Sequence, residues 1–266
     1  MKSMDSSYLL VKAHFRLRCE VPPASEVLRR LLEPLQVEPA VDTHRGNVLT
    51  LRAAGKGFEL RRGSDPIRSA RSWEPLVVAA IEEMNRSALA NFDGFACHAG
   101  VTALGPVALA FPAPSEGGKS TLTAAFTLHG FDYVSDEALC LDLGTGELVG
   151  YPKPIGLSAW SRSHLGVTDH HAGFVQAKQM GGEVAAGRLE IGHILLIERT
   201  PGVASLHEIP RAQIVAALLQ NSFNHYKHPA ESFKLVTEIA AHARGWKLVY
   251  DSALDAAELV RARLFG

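Results

Sequence analysis

Cysteine is scarce. The chain has three in 266 residues, Cys19, Cys97 and Cys140, far apart and odd in number. This argues against a disulfide framework or a cysteine-built zinc site, and predicts buried thiols in a reducing compartment. An excess of either charge is also missing. Twenty-seven basic residues face 28 acidic ones, for a formal net charge of -1. No long-range field therefore selects nucleic acid or an anionic membrane, and neither is expected as a partner. No apolar run reaches the roughly 18 residues of a membrane helix. The opening residues Met1 to Ser7 lack a signal-peptide pattern, so a cytoplasmic location is expected. Histidine is plentiful at 12, yet no pair has a convincing metal-ligand spacing. His170 and His171 are adjacent, would point to opposite faces of a strand, and read as loop residues.

What is present is apolar residue, 47% of the chain. That is ample for a packed core, in one large domain or two unequal ones. The pattern predicts an α/β (α+β) protein with a small N-terminal α+β lobe over residues 1–90 and a larger domain over 91–266. In the lobe, Tyr8 to Val21 reads as one strand, with clean alternation from Phe15. Ser25 reads as the cap of a short helix. Residues 47–52 and 57–61 read as a strand pair turning at Gly55-Lys56-Gly57, and Glu74 to Ala90 as a helix of several turns. The arginines Arg16, Arg18, Arg61, Arg62, Arg68 and Arg71 read as solvated strand faces.

In the larger domain, Phe95 to Val101 and Val107 to Phe111 read as strands joined by a tight turn at Gly105-Pro106. A helix over Leu122 to Leu128 ends at His129-Gly130, which has the character of a C-terminal cap. Leu143 to Tyr151 reads as a hairpin, Tyr151 to Leu157 as an extended Pro-rich run, and residues 160–188 as a long irregular connection. Ile191 to Glu198 is a strongly apolar strand. Helices follow at Pro210 to Gln220 and Phe223 to Ala243, the second with Phe233, Leu235, Val236, Ile239 and Ala240 as its buried face. Lys247 to Tyr250 is a last strand, and Leu254 to Leu264 closes the chain as a helix.

One stretch carries chemistry. Ala113-Pro114-Ser115-Glu116-Gly117-Gly118-Lys119-Ser120-Thr121 lies between the apolar strand and the helix, in the layout of a phosphate-binding P-loop. Backbone N–H groups that open a helix have no internal partner, and the helix dipole adds positive potential there. Ser115, Glu116, Gly117, Gly118, Lys119, Ser120 and Thr121 are the expected phosphate-loop residues. Lys119 supplies a cation for the β/γ-phosphates, and Ser120 a hydroxyl for Mg²⁺. Ala113 stands where such loops start with glycine.

Phosphoryl transfer also needs carboxylates, for the metal and for the attacking hydroxyl's proton. Asp136-Glu137 follows the P-loop helix at the end of a short strand, where ligands of open sheets bind. Either carboxylate suits either task. A solvated turn is the bland alternative. His98, on the strand before the P-loop strand, is either a satisfied core residue or a third member of the site; its ordinary pKa suits proton handling near neutrality.

Cys97-His98-Ala99-Gly100-Val101, the P-loop and His129-Gly130-Phe131-Asp132-Tyr133-Val134-Ser135-Asp136-Glu137, in that order, resemble the HPr kinase/phosphorylase family. They are more similar still to its smaller HPr-kinase-like serine kinases, including those of lasso-peptide gene clusters. The likeness covers about residues 92–142. It continues loosely to the C-terminus, where Tyr151-Pro152-Lys153-Pro154 is similar to a Pro-basic-Pro segment of the family. The resemblance implies a P-loop kinase domain of the HPr kinase/phosphoenolpyruvate carboxykinase type that uses ATP and Mg²⁺. It implies Asp136 as general base, Glu137 as metal or water ligand, and His98 as a helper near the transferred phosphoryl group. Lys119 and Ser120 would serve the triphosphate and Mg²⁺, with Ser120, Asp136 and Glu137 as the candidate metal ligands.

The expected function is therefore an ATP- and Mg²⁺-dependent kinase acting on a hydroxyl, foremost serine, of a peptide, protein or small molecule. HPr itself is not carried over, because no counterpart of the segment that engages it is present. HPr kinases form hexamers, which leaves a homo-oligomer open. Where relatives have glycines, this chain has Ala113 and Glu116, and a carboxylate beside a polyanion opposes its binding. The alternative is thus a catalytically weak or inactive nucleotide- or anion-binding module. A GTPase- or transport-type ATPase is disfavoured by the lack of NKxD-like and LSGGQ-like segments.

Overall fold

A computed structural model describes residues 3–38 and 47–266. Met1 and Lys2, part of the opening read for a targeting signal, lie outside the described residues. The protein is mixed α/β with mixed sheets, and seven α-helices among the described residues. It divides into two compact units: Met1–Phe92 with His170–Phe174, and Asp93–Asp169 with Val175–Gly266. Among the described residues no helix is long and apolar enough to cross a membrane.

The first unit contains β1 (Met4–Leu10), β2 (Ala13–Cys19), α1 (Pro22–Leu32), β3 (Gln36–Val37), β4 (Val48–Ala54), β5 (Gly57–Arg62), β6 (Asp65–Ala70) and α2 (Glu74–Ala90). The strands form one six-stranded sheet in the order β3-β1-β2-β4-β5-β6. Alternation explains its two faces. Phe15, Leu17, Leu49, Leu51 and Leu60 are fully buried. Arg16 and Arg18 reach Asp5, while Arg52 and Arg61 reach Glu59, in ion pairs open to solvent. The strand–turn–strand at 47–62 and the helix at 74–90 follow the sequence pattern.

Two local readings need correction. Tyr8 to Val21 is not one strand but the hairpin β1–β2, turning at Val11 and Lys12 with φ of 47° and 69°. Such turns need positive φ at both central residues and are normally signalled by Asn-Gly or Asp-Gly; a Val-Lys turn carries no sequence mark. Ser25 does not cap α1. Pro22 opens that helix, its fixed φ suiting the first turn, and Ser25 Oγ donates to backbone carbonyls of Cys19 and Val21 instead. Strand β6, largely exposed, has no apolar alternation to announce it.

The second unit contains β7 (Phe95–Leu104), β8 (Val107–Pro112), α3 (Lys119–Leu128), β9 (Asp132–Ser135), β10 (Ala138–Leu141), β11 (Ile155–Gly156), α4 (Ala159–Leu165), β12 (Phe174–Val175, at the division between units), β13 (Glu190–Arg199), β14 (Ser205–Glu208), α5 (Arg211–Gln220), α6 (Pro229–His242), β15 (Arg244–Tyr250) and α7 (Ala253–Leu264). Its main sheet runs β10-β7-β8-β13-β15-β14, with β9 also on β7. β8, β13 and β15 are parallel neighbours; β7 and β14 are antiparallel to theirs. Alternate residues of β8 serve opposite cores. Leu109 and Phe111 share one with Leu122, Phe126, Ala256 and Val260 of α3 and α7. Ala108 and Ala110 share the other with Ile214, Leu218 and Val236 of α5 and α6. A strand covered on both faces reads as a continuous apolar run, as this one does. Cys19, Cys97 and Cys140 are all free and buried.

The expected helix over Phe223 to Ala243 is shorter. A 3₁₀ turn occupies His225–Lys227, and α6 begins with Pro229 in its first turn. Phe233, read as buried, is 55% exposed, whereas Leu235, Val236 and Ala240 are buried. The stripe that α6 buries is Ser232, Leu235, Val236 and Ala240, and at about 100° per residue Phe233 lies beyond its edge. Leu143 to Tyr151 forms a loop tied by a bridge between Leu141 and Leu148 and by the Asp142 carboxylate, which accepts from Gly144 and Thr145 N–H, not a regular hairpin.

Candidate functional site: a phosphate-type loop beside a buried acid–lysine pair

The loop between β8 and α3 is built for close approach. Gly118 precedes the first residue of α3 with φ 86°, in the left-handed region that suits glycine, and no side chain caps the helix. At Gly117 an added Cβ would stand 3.0 Å from the Pro114 carbonyl and 3.2 Å from Ala113 Cβ. The first N–H groups of α3 thus lie behind a loop too tight for side chains at its last two turn positions, which is the layout of an anion cradle. Glu116 departs from it. Its φ is 63° and it is exposed. The backbone has a glycine-type conformation at a position that carries a carboxylate.

Lys119, first residue of α3, is 5% exposed. Its ammonium donates to the carbonyls of Ala113 at 2.9 Å and Pro114 at 2.6 Å, and lies 3.5 Å from His98 Nδ1. Those contacts fold it back across the loop. Burial lowers its pKa, against the opposing pull of Glu137 and Asp136.

The acidic pair arrives from the other side of β7. β9 pairs with Val101–Ala103 and β10 with Phe95–His98, so the two run end to end along β7. Asp136 and Glu137 are the break between them. Irregular strand positions of this kind re-aim side chains beside sites. The bland reading, a solvated turn, does not hold for Asp136, whose side chain is 2% exposed. It accepts a hydrogen bond from Tyr133 Oη at 3.0 Å and pairs with Lys153 Nζ at 2.7 Å. Burial pushes the Tyr133 phenol well above its ordinary pKa, helped by the adjacent Asp136 charge, which keeps the hydroxyl a donor. Glu137 is more open, with its side chain 29% exposed, 3.7 Å from His98 Nε2 and 3.8 Å from Lys153 Nζ.

His98 stands between Lys119 and Glu137. Burial, followed by the Lys119 charge, lowers its pKa to about 4. It is therefore neutral at pH 7, because burial and a cationic neighbour both disfavour the imidazolium.

A single cleft of about 450 Å³ is lined by His98, Ser115, Glu116, Gly118, Lys119, Ser120, Thr121, Asp136 and Glu137, together with Gly156, Ser158 and Ser161. Gly117, the remaining candidate, shapes the loop from behind. Every site residue expected from the sequence is thus in or directly beside one cleft. Lys153 was missed. Its sign was the Pro152-Lys153-Pro154 run, in which prolines on both sides of a lysine stiffen an extended segment. Ser158 and Ser161 were missed too, because single serines carry no spacing signal.

The residues present fit a phosphate-bearing ligand: a tight loop, uncapped helix N–H groups and a lysine on one wall, carboxylates on the other. Among the described residues no group of three or more His, Cys, Asp and Glu forms a metal centre. A divalent cation would have to share Ser120 and Glu137 or Asp136 with oxygens of the ligand, which is the usual manner for Mg²⁺. No protein-family model matches this chain, and no characterised protein matches its sequence.

Proposed function

We propose that the protein is an ATP- and Mg²⁺-dependent kinase that phosphorylates a hydroxyl, foremost that of serine, on a peptide, protein or small molecule. In this reading Asp93–Asp169 with Val175–Gly266 is a P-loop kinase domain of the HPr kinase/phosphoenolpyruvate carboxykinase type. The observation that carries it is the one cleft where the loop Ser115–Thr121 and Lys119 face Asp136 and Glu137.

The chain's own groups divide the work. Backbone N–H groups from Ser115 to Thr121 hold phosphate oxygens, and Lys119 exchanges its bonds to Ala113 and Pro114 for theirs. Bound Mg²⁺ would neutralise phosphate charge, held by the Ser120 hydroxyl and by Glu137, the more open carboxylate. Asp136 takes the proton of the acceptor hydroxyl as the hydroxyl oxygen bonds to the γ-phosphorus and the bond from that phosphorus to the β,γ-bridging oxygen breaks, leaving ADP. Lys153 and the Tyr133 hydroxyl fix the orientation of that carboxylate. Neutral His98 keeps Lys119 and Glu137 apart without adding positive charge.

A catalytically weak or inactive nucleotide- or anion-binding module is the second reading, favoured by Glu116 in the loop. ATP turnover with candidate serine peptides separates the two, measured for wild type, Lys119→Ala and Asp136→Asn. Phosphoryl transfer by wild type that is lost in both variants supports the kinase. Tight ATP binding by wild type with no transfer to any acceptor supports the module.

A further inference from the structure

Next to the phosphate-type cleft is a second recess, lined by Gly118, Thr121, Trp160, Arg199, Tyr250, Asp251 and Ala253. It shares Gly118 and Thr121 with the cleft. Arg199 ends β13, and Tyr250 ends β15. Ligands of open sheets with parallel strands bind at these carboxyl ends. Trp160 comes from α4, which is tied to the first turn of α3 by the contact of Ser161 Oγ with Thr121 Oγ1 at 2.8 Å.

Trp160 is 50% exposed. The Arg199 guanidinium lies 4.4 Å from its ring centre, and the His164 ring stacks on it with centroids 4.9 Å apart and planes 9° from parallel. Two groups thus contact the Trp160 indole at the edge of the cleft, and both Trp160 and Arg199 meet solvent. The recess itself holds only about 20 Å³. A ring system has no room inside it and would lie across its mouth, against the guanidinium or indole plane. Such planes bind heteroaromatic bases by stacking. Asp251, exposed at the rim, adds an acceptor for an amino or hydroxyl group.

We propose that this Trp160–Arg199 platform is the subsite for the base of a nucleoside triphosphate whose phosphates occupy the neighbouring loop. The inference rests on the phosphate-binding reading of that loop and adds to it the half of the ligand that the loop does not recognise. The first turn of α3 links the two parts: phosphates at Lys119 and Ser120, and the sugar and base passing Thr121 and Gly118 toward Trp160.

The test compares two probes on the full chain by calorimetry with Mg²⁺ present, ATP and inorganic tripolyphosphate. Trp160→Ala removes the indole. Arg199→Lys keeps the charge but removes the flat guanidinium, and both positions are exposed, so folding is spared. Each variant is expected to weaken ATP by about tenfold, the size of one lost base stack, with tripolyphosphate binding unchanged within error. Quenching of tryptophan fluorescence by ATP but not by tripolyphosphate is expected in wild type and lost in Trp160→Ala. Wild type that binds tripolyphosphate as tightly as ATP, or variants that lose both probes equally or neither, overturns the base subsite. Lys119→Ala separates the two levels, because it should weaken both probes. Wild type that binds neither probe sinks the phosphate reading and this inference together.

Discussion

The sheet surface of the first unit and the cleft of the second handle charge in opposite ways. On the sheet of the first unit, exposed arginines form ion pairs: Arg16 and Arg18 with Asp5, and Arg52 with Glu59. Those arginines are 40–47% exposed. In the second unit, Asp136 and Lys153 form a pair whose side chains are 2% and 7% exposed. Water screens the first kind, so each contributes little to stability. The second kind pays a desolvation penalty that a pair of packed apolar residues would avoid. A fold with ample core has no need of such a pair for stability. Its place in a cleft, beside a lysine-bearing loop, makes it the feature to explain by function.

The largest expected effect tests that contrast directly. Lys153→Ala leaves the Asp136 carboxylate buried without its cation and should destabilise the protein by about 3–5 kcal/mol, measured by urea denaturation. Arg52→Ala, on an exposed pair, should leave the unfolding midpoint within error. The double change Asp136→Leu with Lys153→Met should recover most of the stability while the proposed phosphoryl transfer, measured beside it, stays absent. Equal losses for Lys153→Ala and Arg52→Ala would erase the distinction between sheet surface and cleft.

A smaller effect concerns His98, the other half-buried titratable group of the cleft. Its folded pKa of about 4 lies below the unfolded value near 6.5. Above pH 6.5 it is neutral in both states and costs nothing. As pH falls from 6.5 toward 4, the unfolded chain binds a proton that the folded chain refuses, so stability is lost across that window. His98→Gln should flatten this part of the stability–pH curve relative to wild type. Superimposable curves would mean that the histidine is solvated.

The smallest effect is at Glu116, the one exposed charge placed in the phosphate-type loop itself. Glycine there relieves a left-handed backbone, worth about 1 kcal/mol, and removes a carboxylate from beside a polyanion. Glu116→Gly should raise the melting temperature modestly and tighten ATP binding by calorimetry. Equal or weaker binding would show that the carboxylate does not act against phosphate.

Much of the candidate site was legible because its signals are local. Gly117-Gly118-Lys119-Ser120 between an apolar strand and a helix is a spacing, and spacing survives into structure. Strand and helix limits near Gly105-Pro106, Glu74 to Ala90 and His129 followed for the same reason. The β1–β2 turn at Val11-Lys12 did not, since its positive φ values are imposed by pairing and not by residue type. Phe233 misled because an apolar residue at the edge of a buried stripe looks like part of it, and only packing shows how wide the covered face is.

By itself, then, the sequence determined the loop, its lysine, the acidic pair and the apolar strands that carry them, all properties of neighbours along the chain. Only the tertiary structure decided that Asp136 is dry and Glu137 is not, that Lys153 is Asp136's partner, and that His98 is held neutral. Burial and charge pairing depend on what other segments bring to a point, here residues 17 and 21 positions apart, and no local pattern encodes that distance.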